Sequence, residues 1–279
     1  MSVRFTILGA GGRVGRALLE SLPDAHAIDR AGLPALLAGD RPAGHIISCI
    51  GLTGDFRTRP LMTADAHVGI TARVLARGGF DSFLYLSSTR VYARAATTTE
   101  DAALSVDPTD PSDLYNLTKL AGEALCLSDP RPSVRVVRLS NVTHPDPDPD
   151  TFLGQVMSEG HARGRVLLRQ GPGSAKDYIA CADVAALLPR IATDGRHRLY
   201  NLASGRNVTH AAIAARLRAR HGWDIAFAPG APDIVFPPIT ISRLRSEFAA
   251  ALSDPLPDSP TMASGQEAPC SPSMKPAVA

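Results

Sequence analysis

The sequence predicts an α/β fold: a doubly wound parallel sheet followed by a smaller C-terminal lobe. Three observations carry this. Short apolar strand patterns alternate with helix-length amphipathic segments from the start, as in parallel strands joined by crossover helices. The first strand runs into a glycine cluster that opens a helix. A proline- and aspartate-rich stretch, "THPDPDPD" at 143–150, then separates this regular region from a different one.

The elements follow in order. "VRFTIL" (3–8) is a short apolar strand, and the helix after the glycines runs to about Leu22. "HAID" (26–29) and "GHIISCI" (44–50) are the second and third strands. A helix over about 60–78 leads into "DSFLYLSS" (81–88). An amphipathic helix with Ser112 as its expected N-cap leads into "VRVVRLS" (134–140). Past the break come a helix near 151–160, the strand "RVLLR" (165–169) and the segment "KDYIACADVAALLPRIA" (176–192). The strand "RLYNLA" (198–203) and a helix over 208–220 complete the pattern. No aromatic residue follows Phe248, while Ser, Ala and six prolines do, so residues 249–279 are expected to form a weakly ordered tail.

Composition bounds the function. A chain of 279 residues, 44% of them hydrophobic, can bury a sizeable core. A formal charge of +2 is too small to argue for a nucleic-acid or membrane-surface partner. Cys49, Cys126, Cys181 and Cys270 are far apart, with no CxxC or Cys/His ligand spacing, so neither a disulfide framework nor a metal site is expected. The first residues lead directly into a strand, and no apolar run approaches the roughly 20 residues that span a bilayer. The expectation is a cytoplasmic protein without membrane association.

"GAGGRVG" places Gly9, Gly12 and Gly15 in a G-x-x-G-x-x-G pattern between strand and helix, with Arg13 and Val14 inside it. Glycine suits a turn of unusual φ whose backbone approaches a pyrophosphate. The helix N-terminus then presents N–H groups and a positive dipole end to that anion. Asp29, 20 residues after Gly9, ends the second strand where a carboxylate accepts hydrogen bonds from an adenosine ribose. Together these point to a dinucleotide. Asp29 favours NAD by repelling a 2′-phosphate, while Arg30 or Arg13 would tolerate NADP.

"DLYNLTKLAGE" (113–123) sets Tyr115 four residues before Lys119, on one face of the predicted helix. Only Lys119, Lys176 and Lys275 are lysines; the other 26 of the 29 basic residues are arginines. A position needing charge alone would have been arginine here, whereas a compact ammonium suits pKa tuning. An adjacent ammonium and a cationic nicotinamide stabilise a phenolate, which then takes a proton from a substrate hydroxyl as its carbon loses hydride. The strand "LYLSSTRVY" (84–92) ends in hydroxyl residues, and Ser88 is the candidate partner of the reacting oxygen.

Together these residues resemble the extended short-chain dehydrogenase/reductase family, in its NAD-dependent epimerase/dehydratase group, over about residues 3–248. The matching segments, in the family's order, are "GAGGRVG", "YLSSTRVY", "DPSDLYNLTKLAGE", "VVRLSNV", "KDYIACADVA" and "YNLASG". The resemblance implies a Rossmann-type NAD(P)-binding domain over 1–142, to which the chain returns around 176–204. A small substrate-binding lobe would be drawn from 143–248. The implied activity is hydride transfer on a nucleotide sugar or related polyol, as an epimerase or a keto-sugar reductase. The implied assembly is a homodimer built on helices that include the Tyr115 helix. Tyr115 resembles the family's acid/base, and Lys119 the lysine that binds the nicotinamide ribose and lowers the tyrosine pKa. Ser88 matches the family's Ser/Thr, and Gly51 joins the cofactor-binding set. Thr89, Arg90, Asn141 and Lys176 are the substrate-binding candidates, Asn141 as a diphosphate contact. Lys176 stands where the family usually has a phosphate-binding arginine, keeping the charge and losing the bidentate fork. A non-catalytic dinucleotide sensor on the same fold is the reading from another class; the Ser88–Tyr115–Lys119 set argues against it.

The chain also departs from that pattern. Asp29 lies only about 15 residues before "GHIISCI", so the strand and acidic adenine contact often found between them are expected to be missing. Thr89 and Arg90 follow Ser88 where the family's 4,6-dehydratases carry an Asp-Glu pair, which disfavours dehydration. His67 in "DAHVGIT" replaces an asparagine, as a polar contact near the site or a hydrogen-bonded, semi-buried histidine. Arg57 and Arg59 in "GLTGDFRTRP", with Arg90, are candidates to hold positive charge over the cleft toward an anionic substrate.

Overall fold

The computed structural model describes residues 4–39, 42–52, 54, 56–144 and 151–256. From the N-terminus the chain forms β1 (Phe5–Leu8), α1 (Arg13–Ser21), β2 (His26–Ile28), α2 (Leu33–Ala38) and β3 (His45–Ser48). A continuous helical run follows: α3 (Pro60–Ala64), a π-type turn over Asp65–Gly69, and α4 (Ile70–Arg77). β4 (Ser82–Ser88) ends in a 3-10 turn, Thr89–Tyr92, ahead of α5 (Leu114–Ser128) and β5 (Val134–Leu139). Then come β6 (Asn141–Thr143), α6 (Phe152–Arg163), β7 (Arg165–Leu168), β8 (Ala175–Ala180), α7 (Cys181–Asp194) and β9 (Leu199–Leu202). β10 (Asn207–Thr209), α8 (His210–His221), β11 (Asp224–Phe227) and α9 (Ser242–Phe248) complete the order.

The central sheet runs β2-β1-β3-β4-β5-β9, every pairing parallel. Its central strands β1, β3 and β4 are buried along almost their whole length because both faces are covered. On β4, Leu84 and Leu86 pack toward Leu18 of α1 and Leu187, Leu188 and Ile191 of α7. Phe83 and Tyr85 pack on the other face, with Val74 of α4 and Cys126 of α5. Strand order reverses between β1 and β3, and a crevice opens there at the carboxyl ends of the strands.

The second region packs Val156, Val166, Leu168, Ala214 and Ile225 around its own core. It contributes a three-stranded sheet, β10-β8-β6, and the parallel pair β11-β7. The sequence reading takes β5 through Ser140, merges β8 with α7 and omits β6, β10 and β11. Three- and four-residue strands are too short to show a period.

Two expectations need correction. Ser112 does not cap α5; its hydroxyl accepts from Arg57 Nη2 at 2.9 Å. Asp113 flanks the helix instead, and its carboxylate accepts from Asn116 Nδ2 and the Asp107 N–H, both at 2.8 Å. The expected tail is pinned at its start: the Ser253 N–H and hydroxyl donate to the Asp183 carboxylate, and Asp254 pairs with Arg216 at 2.8 Å. Residues 257–279 lie outside the described residues, as do 145–150 of the proline- and aspartate-rich break. Between Asp29 and β3 the described residues form α2 and no strand, in line with the shortened adenine side expected above.

Candidate active site

A cavity of about 1030 Å³ lies between the strand ends of the central sheet and the second region. Gly12, Arg13, Val14, Gly51, Ser88, Thr89, Arg90, Tyr115, Lys119, Asn141 and Lys176 all line it. Residues 164 positions apart in the chain therefore converge on one space, as Gly12 and Lys176 do. Gly9, Gly15, Asp29 and Arg30 do not line it.

Gly9 and Gly15 build the turn instead. Gly9 has φ +74°, and a Cβ there would stand 3.0 Å from the Cys49 carbonyl carbon and the Ile50 nitrogen. A Cβ on Gly15 would come within 2.5 Å of the Gly9 carbonyl oxygen. The loop is thus pressed against both the end of β3 and the first turn of α1. Gly12 precedes α1 with no side-chain cap, which leaves the helix N-terminus facing the cavity as an anion would need. Asp29 is exposed at the end of β2; its Oδ1 accepts the Gly32 N–H at 2.8 Å. Arg30 beside it is exposed too.

The proton-transfer candidates sit on the inner face of α5. Tyr115 is buried, and Ser88 at the end of β4 lines the same cavity and acts on its phenol. Burial pushes the Tyr115 phenol above its ordinary value; Ser88 and then the Arg90 charge pull it back in part. Lys119 Nζ donates to the Leu86 carbonyl at 2.8 Å and lies 5.8 Å from the Tyr115 ring centroid. Burial brings its ammonium down from 10.5 to about 7, against the opposing pull of the Glu123 and Cys49 charges. Arg90 joins Lys119 beside the phenol, its guanidinium carbon 5.7 Å from the Tyr115 centroid, and its charge acts on Tyr115 as well.

Glu123, one turn beyond Lys119, is locked in a buried ion pair with Arg138 of β5, its Oε2 2.7 Å from Nη2. Arg138 Nη1 also donates to the Tyr92 hydroxyl at 2.7 Å, which donates to Asn201 Oδ1 at 2.9 Å. This network fixes α5 against β5, β9 and the turn after Ser88. It is invisible in sequence because its members span residues 92–201.

His67 is fully buried in the π-type turn. Its Nδ1 lies 2.8 Å from Thr118 Oγ1, whose hydroxyl is within 3.0 Å of the Leu114 and Tyr115 carbonyls. The Leu52 N–H donates to Nε2 at 3.4 Å, and the ring stands edge-on to Tyr115, 5.4 Å between centroids. These partners fit a neutral imidazole carrying its proton on Nδ1. Burial, then the Lys119 charge, lowers its pKa to about 2. Gly51 lies over both groups: a Cβ there would be 3.3 Å from His67 Nε2 and from Lys119 Nζ.

Asn141 donates from Nδ2 to the Asp177 carbonyl at 2.8 Å, and Lys176 Nζ lies 5.5 Å from the Phe236 ring centroid. Sequence reasoning missed the far wall, where Phe152, Leu217, Arg220 and His221 of α6 and α8 line the cavity. It missed Phe56 as well, whose buried ring lies 5.6 Å from that of Tyr115. An isolated aromatic in a loop carries no periodic signal that marks it.

Comparison with known proteins follows the same lines. A sequence model described as the NAD dependent epimerase/dehydratase family matches residues 5–203. Solved structures with the same fold include MoeE5 in complex with UDP-glucose and NAD, at 20% identity and TM-score 0.76, over 91% of this chain and 94% of that one. An NAD-dependent NDP-hexosamine 5,6-dehydratase, TunA, of tunicamycin biosynthesis has 19% identity and TM-score 0.75, over 90% and 92%. A UDP-N-acetylglucosamine 4-epimerase from Methanobrevibacter ruminantium M1 has 14% identity and TM-score 0.75, over 90% and 93%. A search of curated protein sequences gives no match. Among the described residues no helix is long and apolar enough to cross a membrane.

Proposed function

Since the chain belongs to the NAD-dependent epimerase/dehydratase family, we propose that this enzyme is an oxidoreductase or epimerase of nucleotide sugars, with Tyr115 as its proton-transfer group. The observation that carries this is the buried Tyr115 sharing one cavity with Ser88, Lys119 and the glycine loop. Each of the three solved structures compared above has NAD or a nucleotide sugar in its name.

NAD, the family's cofactor, supplies a hydride acceptor and donor. The chain's own residues supply the rest. With its pKa raised by burial, Tyr115 is a protonated phenol, ready to donate to a keto oxygen held by Ser88. In the oxidising direction the same phenol must first lose its proton, and Ser88 and Arg90 stabilise the resulting phenolate. Lys119, with a pKa near 7, is placed to bind a ribose hydroxyl and to exchange a proton at neutral pH. The first turn of α1 takes the pyrophosphate, and Asn141 and Lys176 take the substrate's diphosphate.

Elimination is not supported. Asp177 is the one described carboxylate lining the cavity, and it is turned onto the Ser204 N–H and hydroxyl and the Arg206 N–H, at 2.9–3.0 Å. Thr89 and Arg90 occupy the positions after Ser88.

Native mass spectrometry of the purified protein identifies the retained dinucleotide. Turnover of a nucleotide-sugar panel by wild type and Tyr115→Phe then tests the assignment. The variant is expected to lose about 10²- to 10⁴-fold in turnover while still binding dinucleotide; undiminished turnover refutes the role of Tyr115. Retained, substoichiometric NAD indicates an epimerase, and stoichiometric NAD(P)H consumption a keto-sugar reductase.

A further inference from the structure

Three cations face the cavity around the reacting groups: Arg57, Arg90 and Lys176. Arg57 and Arg90 share the ring of Phe56, their guanidinium carbons 4.5 and 5.3 Å from its centroid. The Arg90 guanidinium carbon is also 5.7 Å from the Tyr115 centroid, within about one hexose ring of the phenol. Arg59, the third arginine singled out in the sequence, does not line the cavity.

Each arginine holds a neutral oxygen at its back. Arg57 Nη2 donates to the Ser112 hydroxyl and Arg90 Nη2 to the Ser112 carbonyl, at 2.9 and 3.2 Å. The nearby carboxylates are engaged elsewhere: Asp107, Asp110 and Asp113 all converge on Arg94, at 3.9, 2.8 and 3.3 Å. Asp177 is held by Ser204 and Arg206. Among the described residues none of the three cations forms an ion pair. Meanwhile the Arg57 charge acts unfavourably on Arg90, offset in part by the more distant Asp113 and Asp110, and that of Arg90 acts unfavourably on Lys176. Like charges gathered at one end of a cavity with no anion in contact are costly, unless that anion arrives with the ligand.

We propose that the sugar unit of the substrate is itself anionic, a hexuronate whose carboxylate is received by Arg90 and Arg57 beside the carbon that exchanges hydride. This rests on the nucleotide-sugar reading above and sharpens it. Two guanidinium groups offer the planar, bidentate geometry that a carboxylate matches, at the Ser88–Tyr115 end of the cavity. Lys176, a point charge beside Asn141, is left for the diphosphate. Thr89 and Arg90 thereby act as specificity residues at positions where an eliminating enzyme would carry acids.

The test is titration calorimetry with matched pairs that share one nucleoside diphosphate, UDP-glucose against UDP-glucuronate first, with free UDP as reference, then the thymidine and guanosine series. Wild type is expected to prefer the hexuronate by at least about tenfold, the scale of one or two charge-assisted hydrogen bonds. Arg90→Met and Arg57→Met should each shrink that preference toward unity. Arg57 is exposed, so its variant keeps the test available if Arg90→Met does not fold. Equal wild-type affinity for hexose and hexuronate overturns the proposal. So does an equal loss of both in the variants, which would assign the arginines to the diphosphate. If no nucleoside diphosphate or nucleotide sugar binds at all, the nucleotide-sugar reading falls first and this inference with it.

Discussion

Lys119 is the group whose chemistry can be tested without knowing the substrate. Burial takes its ammonium from 10.5 to about 7, a cost of about 5 kcal/mol for keeping the charge inside the fold at low pH. Between those two values the unfolded chain binds the proton and the folded one does not, so stability rises with pH across the window and the cost fades toward pH 10.5. Integrating from pH 6 to pH 9 gives a gain of about 3 kcal/mol for wild type relative to a variant that cannot titrate. Lys119→Met keeps most of the apolar stem and removes the charge. Urea unfolding of both proteins, freed of dinucleotide, at half-unit steps over that range gives the difference in unfolding free energy. Subtracting one curve from the other cancels the titrating groups that do not interact with Lys119, and His67, which does, stays neutral through most of that range. The expected result is a wild type that gains on the variant by about 3 kcal/mol as pH rises. A flat difference across the range refutes a depressed Lys119 and removes it as a proton-exchanging group near neutrality.

Other outcomes follow from single contacts. His67 has its folded pKa lowered from 6.5 to about 2, so the stability it confers is present above pH 6.5 and is lost as pH falls through that window. His67→Gln should flatten this acid sensitivity in urea midpoints taken from pH 7 to pH 4. Glu123→Ala leaves Arg138 buried without its counter-ion and should cost about 3–5 kcal/mol, read as a fall in the denaturant midpoint. Gly15→Ala drives a methyl into the Gly9 carbonyl. It should cost about 1–3 kcal/mol and weaken dinucleotide binding, read by calorimetry with NAD.

The local signals were strong where a period or a spacing carries them. The apolar runs of β1, β3, β4 and β5 mark strands buried on both faces. The Gly9–Gly12–Gly15 triplet marks a turn that needs glycine at Gly9 and Gly15, and Tyr115 and Lys119 at i, i+4 share a helix face in any α-helix. Those features are properties of a few neighbouring residues, so the chain alone determines them. The family resemblance, and not the chain alone, set Thr89 and Arg90 against the acids that the family's 4,6-dehydratases carry there.

What the chain alone left open depends on distance in sequence. That Arg90 joins Lys119 beside the phenol follows from how the turn after Ser88 folds back over Tyr115. That Ser112 serves Arg57 instead of capping α5 follows from the loop of 56–57 reaching across 55 positions. His67 reads equally well as a site residue or a core residue until Thr118 and Leu52 are seen to hold it. The strength of a charge depends on the burial and neighbours around it, and those are set only when the chain closes. Sequence thus determined which chemical groups are present and on which elements; the tertiary structure decided which of them meet, and with what charge.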